Sequence, residues 1–503
     1  MNPAGPAALT PLDPSSFDAA SREFLAAFPE YAGTRALDAL RAEDYQRLDA
    51  HGQVYLDYTG AGLYGESQVR RHADLLVSRV FGNPHSVNES SSAATQLVER
   101  TRRAVLDWFN AGSDYIAVFT ANASAALKLV GESYAFAPGS RALFTFDNHN
   151  SVNGIREYAA AKGAAVDYCP LLVPDLRLDR AAMAAALADR DTGAANLLAF
   201  PAQSNFSGVK HPLDLVEDAA RNGWDVLLDA AAFVPTNRLD LQAVRPAFVT
   251  VSFYKMFGYP TGVGCLLVRQ SALPRLKRPW FAGGTVNFAT VQGRAHRLSP
   301  REAGFEDGTL NFLSIPALDF GFERLRSVGI DTIATRVRCL TGWLLQQLLA
   351  LRHSNGRHMV RIYGPVTTDM RGGTITLNLY DPEGHLVDYR RVEELASAQH
   401  ISLRTGCFCN PGAGETAEGL TESDMLAGAT AGDDMTLPRF MQIIQHRGGK
   451  SAGAIRTSLG LVSSFADVYR FSCFVSGFRD QTRLTLGDVT FDIETCRIVR
   501  DGA

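Results

Sequence analysis

No charge of either sign predominates in this 503-residue chain: 49 Lys and Arg stand against 53 Asp and Glu, a formal net of −4. That balance supplies no electrostatic footprint for nucleic acid. Cysteine is sparse. The seven (169, 265, 339, 407, 409, 473 and 496) show neither disulfide-framework spacing nor a Cys-x-x-Cys, which fits a reducing, cytoplasmic setting. No histidine lies close to the 407/409 pair in sequence, so ligand spacing makes no case for zinc or another metal. The opening MNPAGPAALTPLDPSS lacks the cationic start of a secretory signal and the apolar core of a membrane span. Low-complexity tracts and internal repeats are missing too, and 46% apolar residues is an ordinary globular composition. At this length two or three domains are expected.

What is present first is alternation. DYIAVFT (114–120), RALFTF (141–146), NLLAF (196–200), WDVLLDA (224–230), FVTVSF (248–253) and GCLLVR (264–269) are short, unbroken apolar runs. Such runs suit strands covered on both faces. Ala-rich helical stretches, NASAALKLVGESYAF and DRAAMAAALADR, lie between several of them. The pattern predicts an α/β domain with a mainly parallel sheet, and its chemistry belongs at the carboxyl ends of the strands. Residues 316–353 carry a helical apolar spacing and lead into a smaller domain holding TITLNLY (374–380). The expected organisation is a lead-in over 1–21, an N-terminal part of the small domain over 22–65 and a large domain over 66–315. The rest of the small domain spans 316–481, and 482–503 form a tail that reads as a hairpin. Residues 411–436, dense in Gly, Ala, Thr and acid, are expected to be mobile.

Four segments place reactive side chains after successive strands. SFYKMFGYPTGVG (252–264) sets Lys255 at a strand end, where its amine could form an imine with an aldehyde cofactor. Asp229 closes an apolar strand, and a protonated ring nitrogen is a partner that would hold it ionised. FTANASAALK (119–128) turns through Asn122 and Ser124 into a helix, a phosphate cradle at a positive helix end. DNHNSVNG (147–154) supplies His149, able to lie on a flat ring and to carry protons. Taken singly, each has an ordinary use: Lys255 as a surface lysine, Asp229 as a turn cap, Ser124 as an N-cap, His149 as a structural histidine.

RTGCFCNPG (404–412) adds two thiols two positions apart beside Arg404. A nearby cation lowers a thiol's pKa, and Gly406, Pro411 and Gly412 mark a loop rather than a helix or strand. The segment reads as a reactive cysteine on a mobile arm, or as two buried structural thiols.

YLDYTGAG (55–62), GNPHS (82–86), FPAQSNFSG (200–208) and FEDGTLNF (305–312) complete the set of blocks. With them, the chain from about 22 to 480 resembles the class V aminotransferase group of fold-type I pyridoxal-phosphate enzymes. Within that group it is most similar to the aminotransferase-like domain of molybdenum cofactor sulfurases, relatives of the cysteine desulfurases. The resemblance implies pyridoxal 5'-phosphate on Lys255, with Asp229 at the pyridinium nitrogen and His149 stacked on the ring. It implies Asn205 at the phenolic oxygen, and Asn122, Ala123, Ser124, Ser252 and Tyr254 around the phosphate. Thr309 would reach the phosphate of a second subunit, which makes a homodimer the expected assembly. Arg456, in GAIRTSLG, takes the substrate carboxylate with Arg404 nearby, and Cys409 stands where the family carries its persulfide.

The activity so implied converts L-cysteine to L-alanine and leaves sulfur on Cys409 for an acceptor protein. Three departures stand beside it. Position 414 is Gly where the branch usually has a third cysteine, position 232 is Ala where many desulfurases have Gln, and 425–450 is long. Full-type sulfurases add a molybdenum-cofactor domain; here a separate protein is expected to supply it, or the sulfur enters another pathway. Other chemistry of the same group, a C–S or β-lyase, an epimerase or an aminotransferase, remains an alternative, as does a sulfur-relay protein without turnover.

Overall fold

The computed structural model describes residues 14–84, 86–429, 453–482, 490–492 and 497–499. Seven strands form the central sheet: β1 (Tyr115–Thr120), β2 (Arg141–Thr145), β3 (Ala165–Cys169), β4 (Asn196–Pro201), β5 (Trp224–Asp229), β6 (Phe248–Ser252) and β7 (Gly264–Arg269). Their spatial order is β1-β7-β6-β5-β4-β2-β3. Only β7 runs antiparallel to its neighbours. The sheet is therefore mainly parallel, and six of its strands are the six apolar runs. The seventh, β3, has only one fully buried residue, Cys169, so its sequence shows no continuous apolar run. It is an edge strand, and an edge strand needs less apolar cover.

The inner strands β4 and β6 are buried at every position. Helix α1 (Ala123–Ser133) follows β1, as the FTANASAALK pattern requires, and the single turn α2 (Phe253–Phe257) follows β6. The apolar stretch from 316 becomes two helices, α3 (Leu318–Val328) and α4 (Ile330–Ala350), parted at Gly329. Through Trp343, α4 packs on Phe465 and on Phe24 of the N-terminal helix.

A second, antiparallel sheet takes β8 (Val360–Tyr363), β9 (Thr374–Leu379), β10 (Arg404–Gly406) and β11 (Ala454–Ser458) in the order β8-β9-β11-β10. Val54–Tyr55 pairs in parallel with Ile401–Ser402 as a separate two-stranded sheet, and a bridge from Asp57 to Ser458 of β11 joins the YLDYTGAG segment to the second sheet.

Two expectations are corrected. Helix begins at Phe17, inside the stretch read as a lead-in, because Phe17 packs on Phe465 and Tyr469; residues 1–13 lie outside the described residues. The segment 404–412 is not all loop: Arg404–Gly406 is strand, and Pro411 and Gly412 open helix α5 (Pro411–Glu418). Pro suits a first helical turn, where its missing N–H costs nothing. The stretch 411–436, expected to be mobile, holds α5 and a further helix, Glu422–Ala429; from 430 to 452 the long stretch lies outside the described residues. In the tail, Thr490–Asp492 pairs antiparallel with Arg497–Val499, the hairpin expected there.

Candidate active site

Because β1, β2, β4, β5 and β6 point the same way, their carboxyl ends bring Asn122, His149, Asn205, Asp229 and Lys255 to one edge of the sheet. That is where a parallel sheet leaves a crevice, since the strand ends are not covered by helices.

Asp229 ends β5 opposite Thr250 of β6. Its Oδ1 accepts from Ala231 N–H (3.0 Å) and from the Thr250 hydroxyl (3.3 Å). These bonds aim the carboxylate and hold it in one orientation. Lys255 sits half-buried in α2, facing a cleft lined by Tyr58, Gln203, Ala232, Met256 and Thr374. Burial lowers its affinity for a proton; Asp229 opposes that shift and Arg456 adds to it. A lysine amine so depressed is a better nucleophile toward a carbonyl.

His149 caps the short turn Asn150–Asn153, its Nδ1 accepting from Ser151 N–H at 3.1 Å. The neutral ring therefore carries its proton on Nε2. Burial lowers the imidazole pKa, Lys255 and Arg456 add to that, and Asp229 opposes it.

At the start of α1, Asn122 accepts from Ala125 N–H (2.9 Å) and the Ser252 hydroxyl accepts from Ala123 N–H (3.2 Å). Ser124 and Ser151 share a hydroxyl contact of 2.6 Å, which ties this turn to the His149 segment. A Cβ on Gly264 would lie 2.5 Å from the Asn122 carbonyl carbon, so only glycine lets β7 pass beneath the turn. The exposed first turn of an eleven-residue helix, flanked by serines, suits a phosphate.

The Cys segment docks against this edge. Asn410 is fully buried; its Nδ2 donates to Asp147 O (2.7 Å) and Asn205 Oδ1 (2.8 Å), and its Oδ1 caps α5 through Ala413 N–H (3.2 Å). Asn205 Nδ2 donates in turn to Phe408 O at 2.8 Å, and Asn150 N–H donates to Cys409 O at 2.7 Å. Phe408 is buried against Phe206, whereas Cys409 beside it is exposed. Both residues have positive φ, and this left-handed pair turns the thiol outward while the ring turns in. The buried thiols differ: burial pushes Cys169 up to about 12 and Cys339 up to about 11, which leaves them inert at neutral pH.

Arg456, on β11, is buried with its guanidinium 4.8 Å from the Phe408 ring centre. Burial weakens its hold on a proton, which the ion pair with Asp57 opposes and Arg404 reinforces.

Three other expected residues make different contacts from those expected of them. Among the described residues the Tyr254 hydroxyl makes no hydrogen bond to the Asn122–Ser124 turn, whose bonds run to Ser252 and Ser151 instead. Thr309 is exposed on a separate cleft with Thr120, Ala121 and Trp280, 3.4 Å from Asn83 Nδ2. Asn205 spends its side chain on the Cys segment.

Sequence reasoning missed Asp57 and Asn410. Asp57 accepts from both Arg404 and Arg456. An acid between Leu56 and Tyr58 in an apolar strand end needs a partner, and that was the available signal.

The family model for class V aminotransferases matches residues 54–471. Similar curated proteins include the molybdenum cofactor sulfurases of Solanum lycopersicum, 38% identical across 92% of this chain, and of Arabidopsis thaliana, 38% identical across 90%. The chain spans about 60% of the length of each. Among solved structures, the apo cysteine desulfurase of Thermococcus onnurineus superposes with a TM-score of 0.71 at 21% identity, over 88% of this chain and 97% of that one. A match running through both sheets and every site residue makes the assignment: this chain belongs to the class V aminotransferase family.

Proposed function

We propose that this chain is a pyridoxal-phosphate-dependent cysteine desulfurase of the molybdenum cofactor sulfurase kind, which moves the sulfur of L-cysteine onto Cys409. The observation that carries the reading is the exposed Cys409 thiol, on a segment docked through Asn410 and Asn205 to the strand ends and next to Phe408, whose ring lies 4.8 Å from the buried Arg456 guanidinium.

The residues fit the cofactor. Lys255 offers a depressed amine for its aldehyde, Asp229 an oriented carboxylate for its ring nitrogen, and the α1 turn with Ser252 a seat for its phosphate. Bound there, pyridoxal phosphate supplies an electron sink for the charge left when an α-proton departs. Arg456 holds the substrate carboxylate and so orients the α-carbon. Lys255, once free, and His149 through Nε2 carry protons at that carbon. Cys409 as thiolate attacks the substrate Sγ: an S–S bond forms, the Cβ–Sγ bond breaks, and the carbon keeps the electron pair and takes a proton. The products are alanine and a Cys409 persulfide, ready for an acceptor protein.

A homodimer belongs to the same proposal. Trp280, Phe281, Phe288 and Val291 are exposed in and beside the hairpin Val286–Ala289/His296–Leu298, and Trp280 shares a cleft with Thr309. Such a patch supports a second copy whose cofactor phosphate Thr309 would reach. The six described cysteines are all free, which supports a reducing, cytoplasmic setting, and no described helix is long and apolar enough to cross a membrane.

The test is Cys409→Ser beside Lys255→Ala. Cys409→Ser should keep the visible absorbance of the bound cofactor, form no persulfide by mass spectrometry and release little alanine. Lys255→Ala should lose absorbance and turnover together. Undiminished alanine formation by Cys409→Ser would refute the role given to that thiol.

A further inference from the structure

Arg404 and Arg456 lie directly opposite each other across β10 and β11. Two like charges in such a pair repel, and one of these is buried. Between them stands Asp57, itself buried: Oδ1 accepts from Arg456 Nη2 (2.9 Å), Oδ2 from Arg404 Nε (2.9 Å) and Nη2 (2.7 Å). The seat is built for that carboxylate. A Cβ on Gly60 would lie 2.5 Å from Asp57 Oδ2, and the Asp57 backbone bridges Ser458 at the end of β11.

The three side chains therefore carry a net single positive charge. Arg456 Nη1 donates to Asn205 O at 3.1 Å, while its Nε is buried with no acceptor among the described residues. A buried donor left unpaired costs free energy until a ligand supplies an acceptor. A single net positive charge is provision for one carboxylate.

We propose that Asp57 is a specificity-determining counter-charge, which fits this pocket to substrates with a single carboxylate and rejects those with two. The inference rests on the proposed reading of Arg456 as the substrate-carboxylate residue. A second ligand carboxylate finds its cation already taken by Asp57 and meets that anion instead. With Asp57 neutral, the two arginines together would accept a doubly charged ligand.

The experiment titrates acetate and malonate into the cofactor-loaded protein by calorimetry at fixed ionic strength, with alanine formation from cysteine measured in parallel. Asp57→Asn should raise malonate affinity relative to acetate by about tenfold. The double variant Asp57→Asn/Arg404→Gln, returned to a single positive charge, should restore the parent ratio. Arg404→Gln alone leaves no net charge and should weaken acetate about tenfold; it stands in if Asp57→Asn does not fold. An unchanged malonate-to-acetate ratio in Asp57→Asn, or unchanged acetate affinity in Arg404→Gln, overturns the proposal. Absence of alanine formation from a parent protein that shows this charge pattern would instead strike the desulfurase reading and leave the counter-charge standing.

Discussion

Asn410 is the residue on which the position of Cys409 depends, and Asn410→Ala isolates that dependence. The side chain is fully buried and makes three hydrogen bonds, two donated to Asp147 O and Asn205 Oδ1 and one accepted from Ala413 N–H. Loss of an N-cap costs about 1 kcal/mol. Each donated bond adds roughly 0.5–1.5 kcal/mol net. The docking of 407–410 should thus weaken by about 2–4 kcal/mol, with the Asn205–Phe408 and Asn150–Cys409 bonds left in place. Each ~1.4 kcal/mol is a factor of ten in the docked population. Persulfide formation in a single turnover should fall by about thirty- to several-hundredfold, while the visible absorbance of the cofactor is unchanged, since Lys255 and Asp229 make no bond to Asn410 among the described residues. Hydrogen exchange over 404–418 should speed up in the same variant. Asn410→Asp is the control: it keeps the capping oxygen but sets a carboxylate against Asp147 O and Asn205 Oδ1, so it should fare no better than alanine. Parent-like exchange and persulfide yield in both variants would refute the claim that this network places the thiol.

Two further outcomes follow from the site. Burial, with Lys255 and Arg456, holds His149 below its ordinary value of about 6.5; the acid limb of alanine formation should fall below that value and vanish in His149→Gln. The sign for stability is the same as for activity. A folded pKa below the unfolded one makes the His149 contribution complete above about pH 6.5 and lost as pH falls through the folded value, which thermal melts across pH 5–7 would register. Gly264→Ala should push the Asn122 turn away from β7 at a cost of about 1–3 kcal/mol. The cofactor should then leave about tenfold faster on dilution, read as loss of its visible absorbance; parent-like retention would show that the turn does not seat the phosphate.

Strand and helix content was legible wherever burial acts on a continuous run. The six apolar segments became β1, β2, β4, β5, β6 and β7 because two covered faces demand apolar residues at every position. The edge strand β3 was not, because exposure lets polar residues in. Lys255, Asp229, His149 and Asn122 could be picked out because each follows directly on a strand, and a parallel sheet sends all such ends one way. The Cys segment reads from its sequence as loop throughout, whereas the structure makes its two ends strand and helix. Its glycines and proline announce breaks in local structure, yet β10 is made by its pairing with β11, about fifty residues away, and α5 by a buried asparagine cap.

The sequence by itself determined the class of fold, the order of strands and helices, and the chemical inventory at the strand ends. These depend on local periodicity and on residue type, which the chain writes out in order. Only the tertiary structure decided which charges meet. Asp57 binds Arg404 and Arg456 from more than three hundred residues away, and Asn410 reaches back to Asp147 and Asn205. Such pairings follow from how two sheets pack and which groups lose their water together. Distance along the chain carries no record of that.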